Sequence, residues 1–305
     1  ISDPEVSADE LLEICPGPDF PTGGVVCGRT GIRRGYHTGR GKFTLRARAD
    51  IEEFKKGRMR IIVREIPYQT ARDRIEENIA ALVNSGRIEG ISGVRNESDL
   101  KEPVRLIIEV KRDADPDVVL NQLYRFSQLQ VTFSLNFLVL VDGKPRQMSI
   151  KRLIEEYIRH RTEVIRRRTQ FLMAKARSRK HTVEGLLLAL ANIDEVVQVI
   201  RNSGTQAQAK ERLMQIECPA ALLERALGQR GFTAFQEERG EAGSYTLTPV
   251  QADAILKMTL GQLVNLEQER LGDEHQKLLN NIAEYLEILS DHSNLLKIVR
   301  DDLAE

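Results

Sequence analysis

The 305-residue sequence reads as an α+β domain followed by an all-α part: a long antiparallel coiled-coil arm ending in a globular helical tip that dimerises. Three observations predict this. Period-two alternation and short β-branched runs, separated by turn residues, are confined to residues 1–148. From Ser149 to Leu190 there is no Pro and one Gly, at 185; forty residues of helix make a rod of about 60 Å, longer than a compact core needs. Downstream, Leu271, Leu278, Tyr285 and His292 recur every seventh position, as do His275, Ile282, Leu289 and Leu296, a heptad stripe suited to a partner helix. The implied divisions are 1–148, then 149–190 with 263–305 as the arm, and 191–262 as the tip.

In the first part, FTLRARA alternates strictly, with Phe43, Leu45 and Ala47 on one face and Thr44, Arg46 and Arg48 on the other. Extending the parity back adds Arg40 and Lys42 to the polar face of a strand over about 40–49. Arg60–Arg64, Val104–Val110 and Val131–Val141 are further strands, the last closed by the turn pair Asp142-Gly143. Helices are predicted over about 71–85, ending near Gly86, and from Asp115-Pro116 to about Ser127.

Ser149, with Glu155 and Glu156 nearby, suits the start of the long helix. Its apolar positions, Ile154, Ile158, Ile165, Leu172, Ala176, Val183, Leu186 and Leu190, recur mostly by three, four or seven. Between Ile150 and Lys180 stand eleven Lys/Arg and three Glu; between Leu263 and Asp291, seven Asp/Glu and two Lys/Arg. A basic helix out and an acidic helix back attract each other along their flanks. The tip is punctuated at Asn202-Ser203-Gly204, Pro219, Gly228 and Gly231, and Thr248-Pro249 opens a fresh helix. Leu256, Met258, Leu260 and Leu263 need burial there, and a second copy of the chain is the simplest partner.

Composition excludes several classes. With 30% charged and 41% hydrophobic residues the chain is globular and soluble rather than disordered, and no apolar run approaches a membrane span. Cys15, Cys27 and Cys218 are an odd number in no CxxC pair, which suits a reducing cytosol. The first residue is Ile rather than Met, so the sequence reads as an internal stretch of something longer. The five His are scattered, and Glu97-Ser98-Asp99 lacks further close ligands, so no metal site is expected. Gly39-Arg40-Gly41-Lys42 precedes a strand where a nucleotide-binding loop needs a helix. His275 on the heptad stripe reads as a packed histidine.

Net charge is zero, yet the seven cations from Arg29 to Arg48 (Arg29, Arg33, Arg34, Arg40, Lys42, Arg46, Arg48) stand with no Asp or Glu among them. One reading is a solvated strand face. The other is phosphate contact along nucleic acid, with Gly23, Gly24, Gly28 and Gly31 letting the backbone approach a surface closely. Val25 and Val26 beside these cations read either as an ordinary strand start or as a wedge that opens a base step.

The segments PGPDFPTGG, GRTGIRRGYHTGRGKFTLRAR, IIVREIPYQ, EGISGVRNESD, EVKRDADPDVVLNQLYRFSQLQ, RHRTEVIRRRTQF and LLLALANIDEVVQVIR, in this order over nearly the whole chain, resemble the A subunits of bacterial DNA gyrase, type IIA topoisomerases. The segment QLYRFSQLQVTFSLNFLVLVDGKP is more similar to these than to the paralogous C subunit of topoisomerase IV. The resemblance implies that residues 1–148 are the DNA-bending tower, that the long helices are the coiled-coil arm, and that 191–262 is the exit gate of a homodimer. It implies Val25 or Val26 as the residue inserted into duplex DNA, and Arg29, Arg33, Arg40, Lys42, Arg46 and Arg48 as DNA contacts. No segment matches the family's nucleophilic Arg-Tyr motif, so none of Tyr36, Tyr68, Tyr124, Tyr157, Tyr245 or Tyr285 is expected to be catalytic. Mg2+ and ATP belong to the partner B subunit, with none expected here, and the location is the cytoplasm, at the nucleoid. The whole enzyme would pass one duplex through a transient double-strand break in another and introduce negative supercoils with ATP. A coiled-coil, non-enzymatic chromosome-organising protein is the rival of another class; it requires a nucleotide-binding head, and none is visible.

Overall fold

The computed structural model describes residues 1–55, 57–258 and 265–305. The chain divides into two compact units, Ile1–Ile158 and Arg159–Glu305. The first is mixed α and β with several antiparallel sheets, and the second is mainly helical.

In chain order the first unit holds α1 (Ala8–Ile14), β1 (Val25–Cys27), α2 (Thr30–Thr38), β2 (Arg40–Arg46), β3 (Arg48–Lys55), β4 (Arg58–Glu65), α3 (Arg72–Asn84), β5 (Ile91–Asn96), β6 (Leu106–Val110), α4 (Pro116–Phe126), β7 (Gln130–Asn136), β8 (Leu138–Val141) and β9 (Lys144–Gln147). A three-stranded sheet has the order β1-β2-β7, a four-stranded sheet the order β3-β4-β6-β5, and β8 pairs with β9; every pairing is antiparallel. The predicted α4 is opened by Asp115, whose side chain accepts from the Asp117 and Val118 N–H groups, with Pro116 behind it. The turn at Asp142-Gly143 has positive φ at both residues (51° and 75°), as a tight hairpin requires.

Two predicted strands are divided. The alternation over 40–49 belongs to two strands, because the register shifts between Arg48 and Ala49 and the chain passes from one sheet to the other. The run Val131–Val141 breaks at Phe137, whose N–H donates to the Gly39 carbonyl at 2.9 Å and whose carbonyl accepts from Met148. The helix α2 lies in a run whose glycines had been expected to meet an external surface. Gly31, which is one of these, and Gly35 both lie in its body and weaken it as an isolated helix. Tertiary contact makes it worthwhile: Ile32 and Tyr36 are buried with Phe43, Leu45 and Leu135, and the backbone lies almost against β2. A Cβ on Gly31 would stand 1.8 Å from the Lys42 carbonyl oxygen.

The 42-residue helix α5 (Ile150–Ala191) matches the predicted long helix, and Ser149 Oγ accepts from the Arg152 N–H at its start. The second unit continues with α6 (Ile193–Arg201), α7 (Gln206–Leu213), β10 (Glu217–Pro219), α8 (Ala220–Arg239, kinked at Gly228), β11 (Ser244–Thr246), α9 (Pro249–Leu256), α10 (Asn265–Ser290) and α11 (His292–Ala304). Thr248 and Gln251 close a reciprocal cap on α9. Arg161 pairs with Asp302, and Arg179 makes a two-pronged pair with Glu274. The later residue of α5 thus meets the earlier residue of the return, an antiparallel match of basic and acidic helices. The side chains of Ile165, Leu295 and Val299 share one apolar cluster.

Of the heptad stripe, Leu271, His275 and Ile282 are buried, while Leu278, Tyr285 and Leu289 are half-buried. Asp291 leaves helical geometry (φ −138°, ψ 145°) and caps α11, resetting the phase. Leu295 and Val299 are therefore buried, whereas His292 is exposed and Leu296 only half-buried.

Candidate nucleic-acid interface

The three-stranded sheet has one apolar and one polar face. Gly41, Phe43 and Leu45 turn inward, while Arg40 and Lys42 are exposed and Thr44 and Arg46 half-buried. Antiparallel register places Val26 opposite Leu45 and Val25 opposite Arg46, and directly opposed residues share a face. Val26 accordingly packs, half-buried, on the apolar cluster around Phe43. Val25 shares the cationic face and is 44% exposed, an aliphatic side chain held in water beside arginine.

The predicted cations differ in what they touch. Arg33 reaches back to Asp9 of α1, donating from Nε and Nη2 at 2.9 Å each, and His37 lies 2.9 Å from the same carboxylate. Hydrogen bonding from Arg33, then from His37, holds Asp9 below the usual carboxylate range. Arg48 donates to Glu65 at 3.0 Å, and the other Glu65 oxygen accepts from the Gly24 N–H at 2.6 Å, so this acid also anchors the chain entering β1. Arg46 donates from Nε to Gln130 at 2.8 Å, with its guanidinium 4.5 Å from the Tyr124 ring centre. Arg29 is the residue preceding α2. Arg29, Arg34, Arg40 and Lys42 enter no ion pair among the described residues.

The structure brings Val25, Arg40, Lys42 and Arg46 onto one sheet face, places Arg48 at the start of the adjoining sheet, and turns Arg33 to Asp9. Three of the four glycines expected to approach an outside surface serve internal contacts instead. A Cβ on Gly23 would meet Glu65 at 2.5 Å, one on Gly24 would meet Arg46 and Leu45 at 3.2 Å, and one on Gly31 would strike β2; Gly28 faces open space. The sequence reading passed over Tyr124 and Gln130 as supports of Arg46. Their signal was the strand after α4, which places Gln130 at the start of β7.

In the second unit, Leu256 packs partly buried on its own helical core. Met258 lines a cleft of about 290 Å³ with Leu186 and Leu271. Leu260 and Leu263 lie outside the described residues. Among the described residues there is no group of three or more His, Cys, Asp or Glu able to hold a metal ion, and no helix is long and apolar enough to cross a membrane.

The sheet leaves several cations unneutralised and exposes an aliphatic beside them, which gives that face a positive local field. The chain belongs to the family of DNA gyrase and topoisomerase IV A subunits, whose match covers residues 1–304. It is 44% identical over 308 residues to the DNA gyrase A subunit of Granulibacter bethesdensis, covering 100% of this chain and 32% of that protein. The corresponding protein of Pseudomonas aeruginosa is 43% identical, with 99% and 34% covered, and that of Staphylococcus aureus strain NCTC 8325 / PS 47 is 41% identical, with 99% and 31% covered. The chain thus spans about a third of the length of the curated relatives it matches.

Proposed function

We propose that this chain is the DNA-bending and exit-gate part of a gyrase A subunit, within an enzyme that introduces negative supercoils by ATP-dependent double-strand passage. Residues 1–148 form the tower and bind the cleaved duplex. Residues 149–190 and 263–305 form the coiled-coil arm, and 191–262 the gate through which two copies associate, with Leu256, Met258, Leu260 and Leu263 at or near their contact. The B subunit is the partner that brings ATP and Mg2+, and the complex works on cytoplasmic DNA at the nucleoid. The gyrase reading is favoured over topoisomerase IV by the names of the relatives above.

The observation that carries the reading is Val25, exposed on the face that bears Arg40, Lys42 and Arg46. Prising apart one base step costs a few kcal/mol, offset by phosphate contacts that the bend permits. In the intact protein, Val25→Ala is expected to reduce duplex bending, measured by energy transfer between dyes at the DNA ends, and to reduce DNA cleavage. Unchanged bending would remove Val25 from the wedge position and leave Val26 as the alternative.

A further inference from the structure

The two larger sheets of the first unit treat their arginines in opposite ways. In the four-stranded sheet, Arg60, Arg64 and Arg95 are met by acids. Arg60 stands across from Glu52 on one side and Glu109 on the other, and is paired with Glu52. Arg64 pairs with Asp50 and Glu102, and Arg95 with Glu109. In the three-stranded sheet, the rungs from β2 to β7 are Arg40–Asn136, Lys42–Ser134, Thr44–Thr132 and Arg46–Gln130. Every polar-face residue that β7 contributes is neutral and able to donate a hydrogen bond, and none is an acid. A folding requirement alone would favour opposite charges across a strand pair.

The edge of this face opens into a groove of about 950 Å³, where Arg34 of α2 joins Arg40, Lys42, Ser134, Asn136 and Gln147. Arg34, Arg40 and Lys42 are exposed, and Gln147 is held by its Nε2, which donates to the Thr38 carbonyl at 3.1 Å. Cations at alternate positions of β2 are spaced about 6.8 Å apart, twice the rise per phosphate of one DNA strand. Amides and hydroxyls beside them can donate to phosphate oxygens without repelling them.

We propose that the β2–β7 face and its groove form a continuous track for the backbone of one strand of duplex DNA, in which Arg34, Ser134 and Asn136 are binding residues alongside Arg40 and Lys42. The neutrality of β7 keeps the cations of β2 available to phosphate. The track reads no bases, so its contribution is the same for every sequence and is sensitive to salt. It rests on the reading that this unit faces duplex DNA, and adds a strand and a helix residue to the surface that does so.

The test uses the full-length protein with a duplex of random sequence, and affinity is measured from about 50 to 200 mM salt. Asn136→Asp sets an acid opposite Arg40, reproducing the arrangement of the other sheet, and Arg34→Ala removes one cation. Each is expected to lower the slope of log affinity against log salt by about one unit. Arg64→Ala, in the acid-laced sheet, should leave the slope unchanged. If both track variants keep the wild-type slope while Val25→Ala still diminishes bending, the track is wrong and the wedge reading survives. If the wild-type protein neither bends nor binds the duplex with salt dependence, the underlying reading fails. Weakened binding of inorganic polyphosphate with unchanged duplex binding would overturn the track by making the groove a site for a free polyanion.

Discussion

Lys180 lies inside the helical unit with 1% of its side chain exposed, 2.8 Å from Glu238 and 3.4 Å from Glu184, which is itself 2% exposed. Glu184 has a second contact, His275 Nε2 at 3.3 Å, while His275 Nδ1 has no hydrogen-bond partner among the described residues. Three helices, α5, α8 and α10, are tied together by this group. Lys180→Met preserves the apolar stem and removes the charge. Glu238, half exposed, can return to water at small cost. Glu184 cannot, and leaving one member of a buried pair uncompensated costs about 3–5 kcal/mol. For a unit of this size each kcal/mol shifts Tm by about 2–4 °C, so the transition should fall by about 6–20 °C. The assay is thermal unfolding of the whole chain followed by circular dichroism and calorimetry. The double variant Lys180→Met/Glu184→Gln removes both charges and should recover most of the loss, because the penalty belongs to the unpaired charge. A single-variant loss below about 1 kcal/mol, the value of an exposed ion pair, would refute the reasoning. So would a double variant as unstable as the single.

Gly31→Ala places a methyl carbon 1.8 Å from the Lys42 carbonyl oxygen, so α2 must move off β2. Overpacking against backbone should cost about 3 kcal/mol or more, read as a lower denaturant midpoint. Burial, then the positive charge of Arg239, pushes the pKa of His181 down from 6.5. The folded chain therefore keeps this ring neutral further into acid than the unfolded chain does. Stability is present above about pH 6.5 and falls as the pH drops from there toward the folded-state pKa. His181 lies 2.7 Å from Thr248 Oγ1 at the start of α9. In His181→Gln, the Tm difference between pH 7.5 and pH 5.5 should shrink; an unchanged difference would assign that pH dependence to other groups.

Phe43, Leu45 and Ala47 were assigned inward from alternation alone, and all three are buried. Asp115-Pro116 marked the start of α4, and the stretch after Ser149 marked a helix of 42 residues. These signals lie within a few residues of what they specify. The helix α2 was not legible, because Gly31 and Gly35 argue against helix until β2 lies close enough to need them. The break at Asp291 was missed although its capping side chain was in view, since a regular seven-residue repeat on both sides favoured one continuous rod.

Residue order alone specified several local elements, among them β4, α3, β6, α4 and α5, the inward and outward parity of β2 and the concentration of cations between residues 29 and 48. Those properties follow from backbone geometry and from residues close along the chain. Which cations remain available is a matter of long-range packing. Arg33 is met by Asp9 from 24 residues away and Arg48 by Glu65 from 17, while Arg40 and Lys42 are met by the neutral Asn136 and Ser134. A charge is neutralised by whatever lies within a few ångströms of it in space, and chain folding, rather than proximity in sequence, brings that neighbour into place.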